Sequence, residues 1–161
     1  LLLDQGERGK KIYSNTHILF KSLEKLVLRK KIQNNVVEVT LDKPSKEIKF
    51  GNSLKISFHS AETVSKNKVN LISVDSHKLL FPLKLRNVKN GDYFFPIGMV
   101  GKKKVVKFLK DRKINSLEKF NKLVLVNGDD EIIWVVGMRL DRRFSVSDGS
   151  KKIIDIKIDN D

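Results

Sequence analysis

Cysteine is absent from the 161-residue chain, which excludes a disulfide framework and any thiolate metal site. Histidine is scarce: His17, His59 and His77 lie far apart and show no ligand spacing, so no metal site is expected. No apolar run approaches the roughly 18 residues that a membrane span needs, and no secretory signal is visible. The expected compartment is therefore the cytoplasm, with no membrane partner. Catalytic patterns are missing as well. There is no glycine-rich nucleotide loop ahead of a strand–helix unit, no nucleophile elbow and no carboxylate pair in a pocket-like context, so no residue is expected to be catalytic. The chain also opens "LLLDQGERGKK" without a methionine, as expected of a piece of a longer protein.

What the sequence does have is positive charge. Lysine and arginine number 33 against 19 acidic residues, a formal net charge of +14. The isoelectric point of about 9.9 favours a polyanionic partner, nucleic acid ahead of an anionic membrane surface. Of the 33 basic residues 26 are lysine, which a general compositional bias would also produce, so the placement of the charge has to decide. Between Phe81 and Lys113 stand ten basic residues and two acidic ones, a net +8 in 33 residues. A uniform bias would not concentrate charge in this way.

The first half of the chain reads as β structure. Strands are expected in "KKIYSNTH", "EKLVLRKK", "NNVVEVTL", "SLKISFHS", "KVNLISVD" and "LLFPLKLR", with Pro82 marking an edge or a bulge. "NVKNGDYFFPIGMVG" carries Gly91, Pro96, Gly98 and Gly101, which specify a loop with defined turns. A helix is expected over 102–112 and a second short one over 116–121. "KLVLVNGDDEIIWVVGMRL" reads as a β-hairpin turning at Asn127-Gly128, with Trp134 in the core or an interface, and "RRFSVS" and "KKIIDIKI" as closing strands. The expected class is α+β: two small β-rich subdomains, 1–80 and 81–161, the second with a short helix pair and a hairpin.

On a helical wheel Val105, Phe108 and Leu109 share one face, while Lys103, Lys107 and Lys110 form a stripe opposite. Such a stripe is either a solvated face or a phosphate-binding one. Lys102, Lys103 and Lys104 fall at the expected helix N-terminus, where free N–H groups and the dipole favour an anion, and this points to phosphate contact. A second cluster, Arg139, Arg142 and Arg143 around Asp141, suits either bidentate phosphate recognition or an ion pair that pins the hairpin's end.

Taken in order, "DSHKLLFPLKLRNVKNGDYFFPIGMVGKKKVVKFLKDRKI" and "LVLVNGDDEIIWVVGMRLDRRFSV" resemble the C-terminal region of bacterial tRNA(Ile)-lysidine synthetase. The likeness spans about residues 75–147 and rests on several short motifs in sequence: LR, GD, P-x-GM, G-K-K-K, D-x-K-I and W-V-V-G-x-R-x-D-x-R-F. The preceding strands look like the more variable stretch before this domain. The resemblance implies a parent ligase that uses ATP, with Mg, to adenylate the wobble cytidine of tRNA(Ile) and then joins lysine to it. An S-G-G-x-D-S loop marks that family's N-terminal ATP domain, and no such loop occurs here. The implied part is thus a tRNA-binding fragment, inactive alone and without a cofactor of its own, that meets lysine and ATP only through the parent's catalytic domain. Charge and motif match together nominate Arg86, Lys102, Lys103, Lys104, Lys107, Lys110, Arg139, Arg142 and Arg143 as tRNA-facing, with Asp92 ordering the loop. Where relatives often have proline and arginine, this chain has Asn115 and Lys119, which weakens the case for contacts from the second helix. A structural or dimerising module with a solvated basic face is the competing reading, and a homodimer stays open.

Overall fold

A computed structural model describes residues 11–13, 17–21, 26–30, 38–43, 46–50, 54–65, 68–115 and 118–160. The chain divides into two compact units, 1–35 and 36–161. The first holds an antiparallel sheet of β1 (Lys11–Tyr13), β2 (His17–Lys21) and β3 (Leu26–Lys30), in that order. Its middle strand, "HILFK", is one that the expected strands did not include.

The second unit contains two larger sheets. β5 (Glu47–Phe50), β6 (Leu54–Ala61), β14 (Ile153–Asn160) and β7 (Leu71–Asp75) form one, in the order β5-β6-β14-β7. The other runs β13-β12-β11-β8-β4 and comprises β4 (Val39–Leu41), β8 (Leu83–Asn87), β11 (Leu123–Val126), β12 (Ile132–Val135) and β13 (Arg139–Leu140). Strands from both sides of residue 80 enter both sheets. The C-terminal β14 lies between β6 and β7, paired with β6 from Ile153–Ala61 to Asn160–Leu54. Pro82 lies just ahead of β8, whose N–H groups are all available for pairing with β11 and β4, so β8 is an interior strand and not an edge.

The five-stranded sheet is buried on both faces, which explains its unbroken apolar runs "LVLV" and "IIWV". Leu83, Leu85, Leu125 and Ile133 pack with Ile56, Ile72, Val74 and Ile156 of the other sheet, and Trp134 is fully buried in the same core. Val124, Val126, Ile132 and Val135 point the other way, onto Phe94, Val105, Phe108 and Leu109. A register shift between Leu125 and Val126 lets neighbouring residues of the hairpin serve both cores.

That second core is closed by β9 (Tyr93–Phe94), β10 (Lys103–Lys104) and α1 (Val105–Asp111). The expected helix began at Lys102, but the backbone stays extended through Lys104 because Lys103 and Lys104 pair with Phe94 and Tyr93. The helix is seven residues long, and its first N–H, on Val105, donates to the Asp92 carbonyl at 2.9 Å. Lys102–Lys104 therefore precede the helix instead of forming its first turn. At the other end Lys113 adopts φ 60° and the Ile114 N–H donates to the Leu109 carbonyl, closing the helix. The expected second helix is a 3-10 turn over Lys119–Asn121, with 116 and 117 outside the described residues. Arg142–Phe144, expected as strand, is likewise a 3-10 turn, capped by the Asp141 side chain. Among the described residues the fold is thus mostly β with one α-helix.

Candidate nucleic-acid interface

The loop from Gly91 to Gly101 places the cations. Gly91, Gly98 and Gly101 have φ of 92°, 76° and 77°, so the chain can reverse twice within eleven residues and bring Lys102–Lys104 back beside Tyr93 and Phe94. Strand alternation buries Phe94 completely and leaves Tyr93 41% exposed. The Lys102 ammonium sits 3.5 Å from the Tyr93 ring centroid, a cation–π contact. Lys104, Lys107 and Lys110 are exposed and have no ion-pair partner among the described residues. Lys103 is different: its ammonium pairs with Asp111 at 2.7 Å across the helix. The Lys103 hydrogen bond holds the Asp111 carboxyl below its ordinary 3.8, assisted by the charges of Lys103, Lys107 and Lys110, which shows how densely cations surround this one acid.

Two of the nominated arginines are occupied by the protein itself. Arg86 is 7% exposed and donates to both oxygens of Asp92, at 2.8 and 3.0 Å, and to the Asn87 carbonyl. Asp92 Oδ2 also accepts the Lys89 N–H at 2.7 Å, so this carboxylate orders the loop as expected of it. Arg143 grips the fully buried Asp141 through Nε and Nη2 at 3.0 and 2.7 Å and also pairs with Glu131. Asp141 in turn accepts the N–H groups of Phe95 and Arg143. Of the two readings open for this cluster, Arg143 realises the ion pair. Arg142 remains exposed, 5.4 Å from the Phe95 ring.

Arg139 and Arg112 form a third arrangement. Arg139 Nη1 reaches the Ile97 carbonyl at 3.5 Å, and its buried Nε has no partner. Arg112 lies 3.7 Å over the Phe108 ring. Burial, then the neighbouring charge of Arg139, lowers the Arg112 pKa from its ordinary value, with Asp111 opposing. Neither guanidinium has a carboxylate ion-pair partner among the described residues. Arg112 and Tyr93 escaped the sequence-based nomination, although Phe108 and Arg112 stand at i and i+4 on a helix, and alternation in "DYFF" leaves one ring outward. Lys119, by contrast, is only 9% exposed.

Residues 83–158 match the family model described as the TilS substrate C-terminal domain. This segment belongs to that family. Beyond the TilS segment the likeness extends over most of the chain: it is 36% identical over 153 residues to a tRNA(Ile)-lysidine synthase of Parabacteroides distasonis, covering 92% of this chain and 34% of that protein. A tRNA(Ile)-lysidine synthase of Caldanaerobacter subterraneus is 29% identical over 143 residues, 79% of this chain and 30% of the relative. The chain therefore spans about a third of the length of these relatives. The TilS fold is also seen in a crystal structure of a TILS C-terminal domain, with a TM-score of 0.65 at 20% identity, over 77% of this chain and 98% of that one.

Proposed function

We propose that this chain is the substrate-holding C-terminal portion of a tRNA(Ile)-lysidine synthase. It binds tRNA(Ile) so that an ATP- and Mg-dependent N-terminal domain can adenylate the wobble cytidine and attach lysine. On this reading residues 81–161 carry the tRNA surface, the preceding residues connect it to the catalytic part, and the chain alone is inactive. The observation that carries the proposal is the group of exposed cations without carboxylate partners on β10 and α1, Lys104, Lys107 and Lys110, joined by Lys102 over Tyr93 and by Arg142. Each can neutralise a phosphate, which positions RNA without reading its sequence. Recognition of A-form backbone through phosphates and 2′-hydroxyls fits a surface of this kind.

Arg86 and Arg143 act as fold-fixing residues in this scheme, and Arg112 takes a place beside Arg139. Binding of tRNA(Ile) to the chain across a salt series tests the proposal. A steep loss of affinity with salt is expected, and binding that does not respond to salt would overturn it.

A further inference from the structure

The second unit has a cavity of about 340 Å³ whose lining brings an aromatic ring, carboxylates and a guanidinium together: Tyr93, Asp129, Asp130, Glu131 and Arg143 border it. Phosphate-neutralising cations stand outside it. Lys104 is the antiparallel partner of Tyr93, and Lys102 lies over the Tyr93 ring. The ring is fixed from behind by Phe95, edge-on at 6.4 Å and 81°, and Arg143 lies 4.7 Å over Phe95. The aromatic surface is therefore packed along one edge and exposed elsewhere.

This distribution of charge selects an occupant. Asp130 and Glu131 are paired with Lys84 and Arg143, and Asp129 accepts the Asn127 amide and the Glu131 N–H, but their remaining lone pairs accept further N–H groups, and a flat ring beside them accepts a π-face. A nucleobase supplies both, through its exocyclic amine or ring N–H and its planar ring, while its own phosphate remains outside with the lysines. The volume lies within the roughly 300–1,000 Å³ usual for small-molecule pockets. A base inside an A-form helix has both faces stacked and its pairing edge occupied, so the occupant has to be unpaired.

We infer that Tyr93 and the cavity beside it receive one unpaired nucleobase of the bound RNA, stacked on the tyrosine ring, with Lys102 and Lys104 on the adjoining phosphates. The inference rests on the RNA-binding reading and adds to it a preference for single-stranded over paired nucleotides at one point of the surface. Lys102 leaves the ring for the phosphate when the base arrives, which its flexible stem permits.

The test compares two RNA probes bound to the 161-residue chain, a blunt duplex and the same duplex with a short 3′ overhang, at one fixed salt concentration. The unaltered chain is expected to prefer the overhang. Tyr93→Ala and Tyr93→Leu are expected to lose that preference, weakening overhang binding about ten-fold, to the level of the blunt duplex on the same variant, and Tyr93→Phe to keep it. Tyr93→Leu retains apolar bulk without a π-face, and circular dichroism melts check that both variants stay folded. Tight binding of both probes with no preference, or a preference that survives Tyr93→Leu, overturns the inference alone. A chain that binds neither probe overturns the RNA-binding reading itself.

Discussion

Arg86 and Asp92 meet in a two-point ion pair between side chains only 9% and 11% exposed. Through it β8 holds the loop whose Asp92 carbonyl receives the first N–H of α1. Truncating one member strands a charge in a nearly dry site, which costs about 3–5 kcal/mol. Arg86→Ala is expected to lower stability on that scale in urea unfolding, while the fraction that stays folded binds tRNA with unchanged salt dependence. A variant of normal stability and weakened tRNA binding would instead place Arg86 at the RNA.

The exposed lysines behave in the opposite way. Lys104, Lys107 and Lys110 make no ion pair among the described residues, so their joint replacement by alanine should leave the melting temperature nearly unchanged. The slope of log affinity against log salt should fall by about two to three, since each phosphate contact contributes roughly 0.7–0.9. An unaltered slope would show these residues to be solvent-facing only. Lys103 is left out of the set because its pairing with Asp111 at 2.7 Å would mix a structural effect into the reading.

The comparison of sequence and structure turns on what each residue type reports. Concentrated charge and apolar periodicity identified the basic segment, the packed face of α1 and the 123–135 hairpin, because those patterns follow directly from burial. Which cation is free was not legible. Arg86 and Arg143 looked like Arg139 and Arg142, because an acid near in sequence, Asp92 or Asp141, does not say which of the neighbouring guanidiniums it will hold until the loop or turn is folded. The helix start was misplaced for a similar reason: lysines and valines suit a helix, and only the pairing of Lys103 and Lys104 with Phe94 and Tyr93 keeps that backbone extended. A pairing of this kind is tertiary and leaves no local signature.

The Asn127-Gly128 turn offers a sharp case. The sequence suggests a hairpin joined by Asn127-Gly128 and an acidic turn, and within it positive φ falls on Asp130 at 65°. Gly128 is needed for space. A Cβ there would stand 2.7 Å from the Leu80 carbonyl oxygen, the same atom that accepts the Gly128 N–H, while the Asn127 side chain accepts the Leu80 N–H at 2.7 Å. Gly128→Ala is expected to destabilise by about 1–3 kcal/mol, as overpacking does, because backbone cannot give way as a side chain can. Asp130→Gly should be close to neutral, trading relief of left-handed strain against the surface pair with Lys84. Thermal melts that rank the two variants in reverse would refute this account.

The acid limb of stability is tied to Asp75, at the end of β7. Its carboxylate accepts the Ser150 hydroxyl at 2.6 Å and the His77 N–H at 3.0 Å, joining β7 to the chain that leads into β14. The Ser150 hydrogen bond, against the cost of burial and with help from His77, holds its pKa below the ordinary 3.8. The unfolded chain therefore takes up this proton at a higher pH than the folded one. The contribution is complete above 3.8 and disappears as the pH falls through the lower, folded value. Asp75→Asn and Ser150→Ala should each reduce the urea midpoint at neutral pH. The difference from the unaltered chain should then narrow as the pH is taken below the ordinary carboxylate range. A gap that stays constant with pH in that range would mean that these contacts stabilise without selecting the ionised form.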